Sequence, residues 1–174
     1  MAQKLIIVSG IPGTGKSTIA SAIGLELGIP VYAKDWLEGS LLNSGIGDEI
    51  KATGRLGYAG YALLTTLAQR QLALGQSAIL DSVATPIRLR SQWRSMANAS
   101  GASFIVIECI CSDEHLHRNR IQGRQRNIPG WHELRWEDVT TIRDRYPDWD
   151  CERLILDAVS PLPRNVRQAV QYVG

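Results

Sequence analysis

The sequence predicts an α/β domain, a parallel β-sheet covered by helices on both faces. Three observations carry this. Short apolar runs alternate with stretches of helical periodicity along the whole chain. The runs are β-branched and nearly continuous, as strands buried on both faces are. The first run passes straight through a glycine-rich loop into a helix. At 174 residues, 44% apolar and 21% charged, the chain has the makeup of one globular domain over residues 1–174, not of a disordered chain, a fibre or a disulfide scaffold. Its longest aliphatic runs, such as Leu5-Ile6-Ile7-Val8, reach about four residues where a bilayer span needs about 20. Three cysteines, an odd and sparse set, suit a reducing compartment, so the expected setting is cytoplasmic, with no membrane partner.

The elements follow in order. Residues 4–8 read as a buried strand, and residues 16–27 as a helix, with Ile19, Ile23 and Leu27 four apart and Gly28 as its stop. Residues 30–33 are a second strand. Six glycines fall within residues 39–60, a density that suggests mobility or close approach to a ligand, and this is the candidate acceptor-binding segment. Leu56, Leu63, Leu67 and Leu74 mark a helix face ending at Gly75, and residues 77–81 form a third strand. Thr85-Pro86 resembles an N-cap with proline at the first helical position, opening a helix through Leu89, Trp93 and Met96. Residues 104–110 are the most continuous strand. Ser112 is read as the next N-cap, with Asp113 and Glu114 in the first turn. Val139, Ile142 and Tyr146 sit at helical spacing before Pro147, residues 153–157 give a fifth strand, and Val166, Ala169, Val170 and Val173 a last helix.

Gly10-Ile11-Pro12-Gly13-Thr14-Gly15-Lys16-Ser17 fits the phosphate-loop pattern G-x-x-x-x-G-K-[ST], in the required place between a strand and a helix. Gly10, Gly13 and Gly15 let the backbone curl and, with Thr14 and Thr18, point N–H groups at a polyphosphate. Lys16 is expected to reach the β- and γ-phosphates and Ser17 to bind Mg²⁺, which makes ATP and Mg²⁺ the expected cofactors.

Asp35 follows the second strand, at the carboxyl edge where open α/β sheets bind ligands. A carboxylate there can take the proton of an acceptor hydroxyl; the alternative is a helix cap. Among strand-end acids, Asp81 ranks first for organising the metal, ahead of Asp157, with Glu108 last because it lies inside its strand; a plain turn role is open for the first two. Of 19 basic residues four are Lys (Lys4, Lys16, Lys34, Lys51), leaving 15 Arg, the better phosphate grip. Arg118, Arg120, Arg124 and Arg126 have no acid among them, and on a helix Arg120 and Arg124 share a face. On one face they repel unless an anion joins them, and a triphosphate in transfer supplies that anion; the bland alternative is a solvated helix end. Arg143 and Arg145 are candidates to close on the phosphates, and Arg88 and Arg90 to hold an acidic acceptor. The tryptophans are read mainly as core, with stacking on a base or sugar as the alternative. No histidine pair has metal spacing.

The loop from Gly10 to Ser17, Asp35, the strand-end Asp81, Leu116-x-x-x-Arg120-x-x-x-Arg124 and the tail ending at Asp157 together resemble the AAA-type P-loop kinases of the zeta-toxin, polynucleotide-kinase and chloramphenicol-phosphotransferase kind. The resemblance implies a three-layer α/β/α P-loop NTPase with a five-stranded parallel sheet in the nucleoside-monophosphate-kinase arrangement and an arginine-bearing lid over residues 118–133. It implies transfer of the γ-phosphoryl group of ATP to a hydroxyl of a small-molecule acceptor, with Lys16, Asp35, Arg120, Arg124 and Arg126 in catalysis and Ser17 and Asp81 at the metal. By analogy it places Arg164 beside adenine. A 5′-hydroxyl polynucleotide kinase and a non-catalytic ATP-binding regulatory module are the rival expectations; a net charge of +2 and the lack of a basic tract outside the lid argue against nucleic acid.

Overall fold

The computed structural model describes residues 2–174. Five strands form one parallel sheet in the order β2-β3-β1-β4-β5: β1 (Lys4–Ser9), β2 (Val31–Ala33), β3 (Ala78–Asp81), β4 (Ser103–Ile110) and β5 (Leu154–Asp157). Strand alternation splits the core in two. Leu5 and Ile7 of β1 point to one face, against Leu64, Ala68, Leu72, Trp93 and Ala97 of α4 (Leu56–Ala73) and α5 (Ile87–Ala99). Ile6 and Val8 point to the other, against Ile19, Ala20, Ile23, Ala169 and Val173 of α1 (Lys16–Leu27) and α8 (Leu162–Val173). All four β1 side chains are fully buried, each stabilising the fold by about 1.5–3 kcal/mol. That is why the central strand reads as an unbroken apolar run. The remaining helices, α2 (Lys34–Asn43), α3 (Gly47–Ala52), α6 (Glu114–Gln122) and α7 (Trp136–Asp144), stand around the carboxyl edge of the sheet.

Register decides what meets at that edge. Val8 lies opposite Asp81 and Ile107, and Ala33 opposite Asp81. The chain therefore leaves β1, β2 and β3 side by side, delivering Gly10, Asp35 and Asp81 to one place.

Several expectations are corrected. The buried face of α4 is Gly60, Leu64, Ala68 and Leu72, whereas Leu63 and Leu74 are exposed. Leucine spacing does not decide the face, because leucines stand on both sides of the helix, Leu64 and Leu72 buried and Leu63 exposed. Residues 39–60 are largely helical, and two of their glycines serve packing: a Cβ on Gly60 would stand 2.6 Å from Glu38 Oε1, and one on Gly39 would stand 2.6 Å from Ile128 Cγ2. Asp113, not Ser112, caps α6, accepting from the Leu116 N–H at 2.9 Å. Thr85 does not cap α5, whose N-cap is Pro86. Tyr146 lies beyond α7, its hydroxyl bonded to Ser9 Oγ (2.9 Å) and to the Trp149 indole N–H (3.0 Å).

Candidate functional site

Between β1 and α1 the backbone takes positive φ at Gly10 (141°), Gly13 (90°) and Gly15 (87°). Gly10 has no substitute on steric grounds, since a Cβ there would lie 2.2 Å from the Cys109 carbonyl oxygen of β4. Thr14 Oγ1 donates to the Ile11 carbonyl at 2.8 Å and fixes the turn. Sequence reasoning missed a second brace, His117 on α6. Its Nε2 lies 2.7 Å from the Pro12 carbonyl oxygen, which can only accept, so Nε2 carries the proton. The ring packs edge-on to Trp136 at 5.1 Å and covers Gly13. A histidine without metal spacing gave no signal for this, because its partner is 105 residues away. Lys16 opens α1, is 4% exposed, and makes no ion pair among the described residues. A buried ammonium without a carboxylate is costly, and an anion in the loop would offset that cost.

Two cavities, each of about 290 Å³, flank this loop. Gly13, Thr14, Gly15, Thr18, Arg120, Arg124, Ala158 and Leu162 are among the residues lining the first. Ser17, Thr18, Asp35, Trp36, Asp81, Arg124 and Arg126 are among those lining the second. Thr18 and Arg124 line both.

Asp35 sits in the first turn of α2, where the helix dipole favours a carboxylate. Burial pushes its pKa up, but Lys16, Arg126 and Lys34 outweigh burial and hold it below its ordinary 3.8. Its Oδ2 accepts from Arg126 Nη1. Asp81 is more deeply buried, and burial, with the charge of Asp35, raises its pKa against the pull of Lys16, Ser17 and Arg124. Its Oδ1 has no hydrogen-bond partner among the described residues. Asp157 has a turn role instead, its Oδ1 accepting from the Ser112 and Val159 N–H groups, both at 3.1 Å. Glu108 is paired with Arg153.

The arginines separate by position. Helix α6 stops at Gln122 with Gly123 as its C-cap, so Arg120 and Arg124 do not share a helix face as expected; Arg124 reaches the same cavity from the loop beyond. Burial and the like charge of Arg126 both lower the pKa of Arg124, an unfavourable placement that an anion would relieve. Arg120 donates to the Ala158 carbonyl at 3.0 Å. Arg126, expected to lack acidic partners, has two: Asp35, and Glu133, whose Oε2 is 3.3 Å from Nε and whose Oε1 accepts from the Arg126 backbone N–H at 2.7 Å. The structure does not bring every candidate together. Arg164 is exposed on α8 and outside the lining of either cavity. Arg143 faces Glu114 and Asp144. Arg90 is buried, donating to the Ala84 (2.6 Å) and Asp148 (2.9 Å) carbonyls beneath the Trp149 ring. Of the tryptophans, Trp93, Trp136 and Trp149 are core, whereas Trp36 is 53% exposed on the wall of the second cavity.

The sequence profile of the AAA domain family matches residues 5–146. The chain belongs to that family. Among solved structures, this AAA-domain chain is similar to a candidate kinase from Chloroflexus aurantiacus, at 25% identity over 99% of this chain and 97% of that one, with a TM-score of 0.77. A gluconokinase from Sinorhizobium meliloti shares the fold at 17% identity (99% and 91% covered, TM-score 0.67). So does the Mycobacterium tuberculosis APS kinase, solved with AMPPNP and APS, at 16% identity (99% and 98% covered, TM-score 0.62). The three-layer fold is thus that of the small AAA-type P-loop kinases. Uncharacterised proteins of Mycobacterium tuberculosis and Mycobacterium bovis are 28% identical over 178 residues, covering 95% of this chain and 34% of theirs. The chain spans about a third of the length of these curated relatives. No helix among the described residues is long and apolar enough to cross a membrane.

Proposed function

We propose that this AAA-domain chain is an ATP- and Mg²⁺-dependent kinase that phosphorylates a hydroxyl of a small molecule, with residues 1–174 working as one unit. One observation carries the reading: two cavities meet at the phosphate loop and share Arg124, one lined by loop glycines and the other holding Asp35. That is the arrangement a phosphoryl donor and an acceptor need for in-line transfer.

The residues present fit both nucleotide and metal. Gly10, Gly13, Thr14, Gly15 and Thr18 form the cradle, and among the described residues Lys16 is a buried cation without an ion-pair partner and Asp81 Oδ1 a buried acceptor without a donor. Ser17 and Asp81 would hold Mg²⁺, which when bound neutralises charge on the phosphate oxygens. In the transfer itself the acceptor oxygen bonds to the γ-phosphorus, the bond to the bridging oxygen breaks, and ADP leaves with that electron pair. Asp35 is ionised at neutral pH and too weak a base to pull a proton off early. Its work is to accept the hydrogen bond of the acceptor hydroxyl, hold the oxygen in line, and take the proton late, which suits a loose transition state. Lys16, Arg120 and Arg124 stabilise the charge spread over the transferring group, and Arg126 orients Asp35. Three free cysteines, Cys109, Cys111 and Cys151, support a cytoplasmic setting.

ADP release with pooled hydroxyl acceptors tests this. Lys16→Ala should lower kcat by about 10²–10³-fold without unfolding the chain, and Asp35→Asn should lower kcat with ATP affinity nearly intact. Turnover unchanged in Lys16→Ala would remove the phosphate-loop assignment. ATP bound tightly with no acceptor response would favour the regulatory module.

A further inference from the structure

We propose that the acceptor is an uncharged polyhydroxylated molecule, a neutral sugar or polyol, laid against the indole of Trp36. This rests on the kinase reading and narrows its substrate class. The first ground is the fate of every cation around the second cavity. Lys16 is buried in the phosphate loop, Arg120 lines the nucleotide cavity, and Arg124 lines both cavities, so that a polyphosphate in the first engages all three. Arg126 is matched by two carboxylates, Asp35 and Glu133. Lys34, the other basic residue at the mouth of α2, is paired with the buried Glu38 and covered by the Tyr61 ring, 4.6 Å from its Nζ. With a polyphosphate bound, no side-chain cation lining this cavity among the described residues is left unmatched for a carboxylate, sulfate or phosphate on the acceptor, while Asp35 on the cavity wall would repel one.

The second ground is the mix of hydrogen-bonding groups. Asp35 only accepts, and Arg126 only donates, its Nη2 buried and without a partner among the described residues. A hydroxyl both donates and accepts, so neighbouring hydroxyls can satisfy both kinds of group. An anionic head, having acceptors alone, would leave the Asp35 carboxylate unsatisfied. The third ground is Trp36 itself. A tryptophan 53% exposed beside two carboxylates and an arginine forgoes burial of a large apolar face, and the C–H face of a sugar ring restores it. At about 290 Å³ the cavity is at the small end of ligand sites, suited to a single ring. Arg88, a candidate for an acidic acceptor, lines a separate groove between α4 and α5 with Tyr58 and Gln92.

Binding and turnover are measured on pairs that differ in charge: glucose against gluconate, glucose against glucose 6-phosphate, and a nucleoside against its monophosphate. Binding is read from tryptophan fluorescence and checked by calorimetry, with the Trp36→Ala signal subtracted because the chain has five tryptophans. The expected result is that a neutral sugar binds and is phosphorylated at least about tenfold better than its charged partner. Trp36→Ala should weaken that binding about tenfold, with Trp36→Phe recovering most of it and ATP affinity unmoved. A charged partner preferred in any pair overturns the proposal, as does binding lost in Arg88→Ala but kept in Trp36→Ala. So does the failure of every neutral member to bind. Neutral sugars bound through Trp36 without any ADP release would keep the ligand class and defeat the kinase reading instead.

Discussion

Replacing Gly60 by alanine tests how α2, and with it Asp35, is held. In an exposed helix this change stabilises by about 1 kcal/mol, because alanine loses less backbone freedom. Here the added methyl carbon would stand 2.6 Å from Glu38 Oε1 and 2.7 Å from Glu38 Cγ, well inside contact distance. Glu38 cannot swing away cheaply: it is 3% exposed and ion-paired to Lys34, one residue before Asp35. Breaking a buried pair costs about 3–5 kcal/mol, so even partial displacement outweighs the helix gain and leaves a net loss of about 2 kcal/mol. Urea unfolding at pH 7 measures the loss directly. A double-mutant cycle assigns the cause, because Gly60→Ala in a Glu38→Ala background has no carboxylate to meet and should stabilise by up to about 1 kcal/mol. The same loss in both backgrounds, or a Gly60→Ala protein more stable than the parent, would refute the close-packing argument. The same substitution should raise the acceptor KM more than the ATP KM, since the displaced pair adjoins Asp35.

Other outcomes follow from the site. Arg124→Ala should weaken both ATP and acceptor binding, whereas Arg120→Ala should weaken ATP alone; separate titrations of each ligand distinguish them. His117→Ala removes the 2.7 Å bond to Pro12 and the packing over Gly13. It should cost about 2–3 kcal/mol in thermal or urea unfolding and weaken ATP binding. Burial is outweighed by Lys16, then Arg126 and Lys34, which depress the folded pKa of Asp35, so the stabilisation from these charges is fully present above the ordinary 3.8 and lost as pH falls through the lower folded value. Asp35→Asn and the parent should therefore lose stability with different slopes only below about pH 4, as acid unfolding followed by circular dichroism would show.

What could be read in advance follows physical range. The strands, the phosphate loop and the strand-end positions of Asp35 and Asp81 are local patterns, because strand burial writes apolar runs and a tight anion-binding turn writes glycines. The Arg126–Asp35 and His117–Pro12 contacts join residues 91 and 105 apart, and nothing in either neighbourhood announces the other. The buried face of α4 was obscured for a different reason. Leucines stand on both sides of the helix, and the small Gly60 and Ala68, which mark the face that packs closely, carry no leucine signal. Arg124 was placed on a helix by its spacing from Arg120, but Gly123 ends α6 one residue earlier.

That early stop has a thermodynamic consequence. Because Arg124 hangs from a loop and borders two cavities, an occupant of either that orders its guanidinium removes part of the entropic cost met by an occupant of the other. The resulting cooperativity is reciprocal: whatever factor nucleotide contributes to acceptor affinity, acceptor returns to nucleotide affinity. The two ligands would then be held most tightly when both are present, and idle hydrolysis of a lone nucleotide would be disfavoured while the Arg124 guanidinium is not yet ordered.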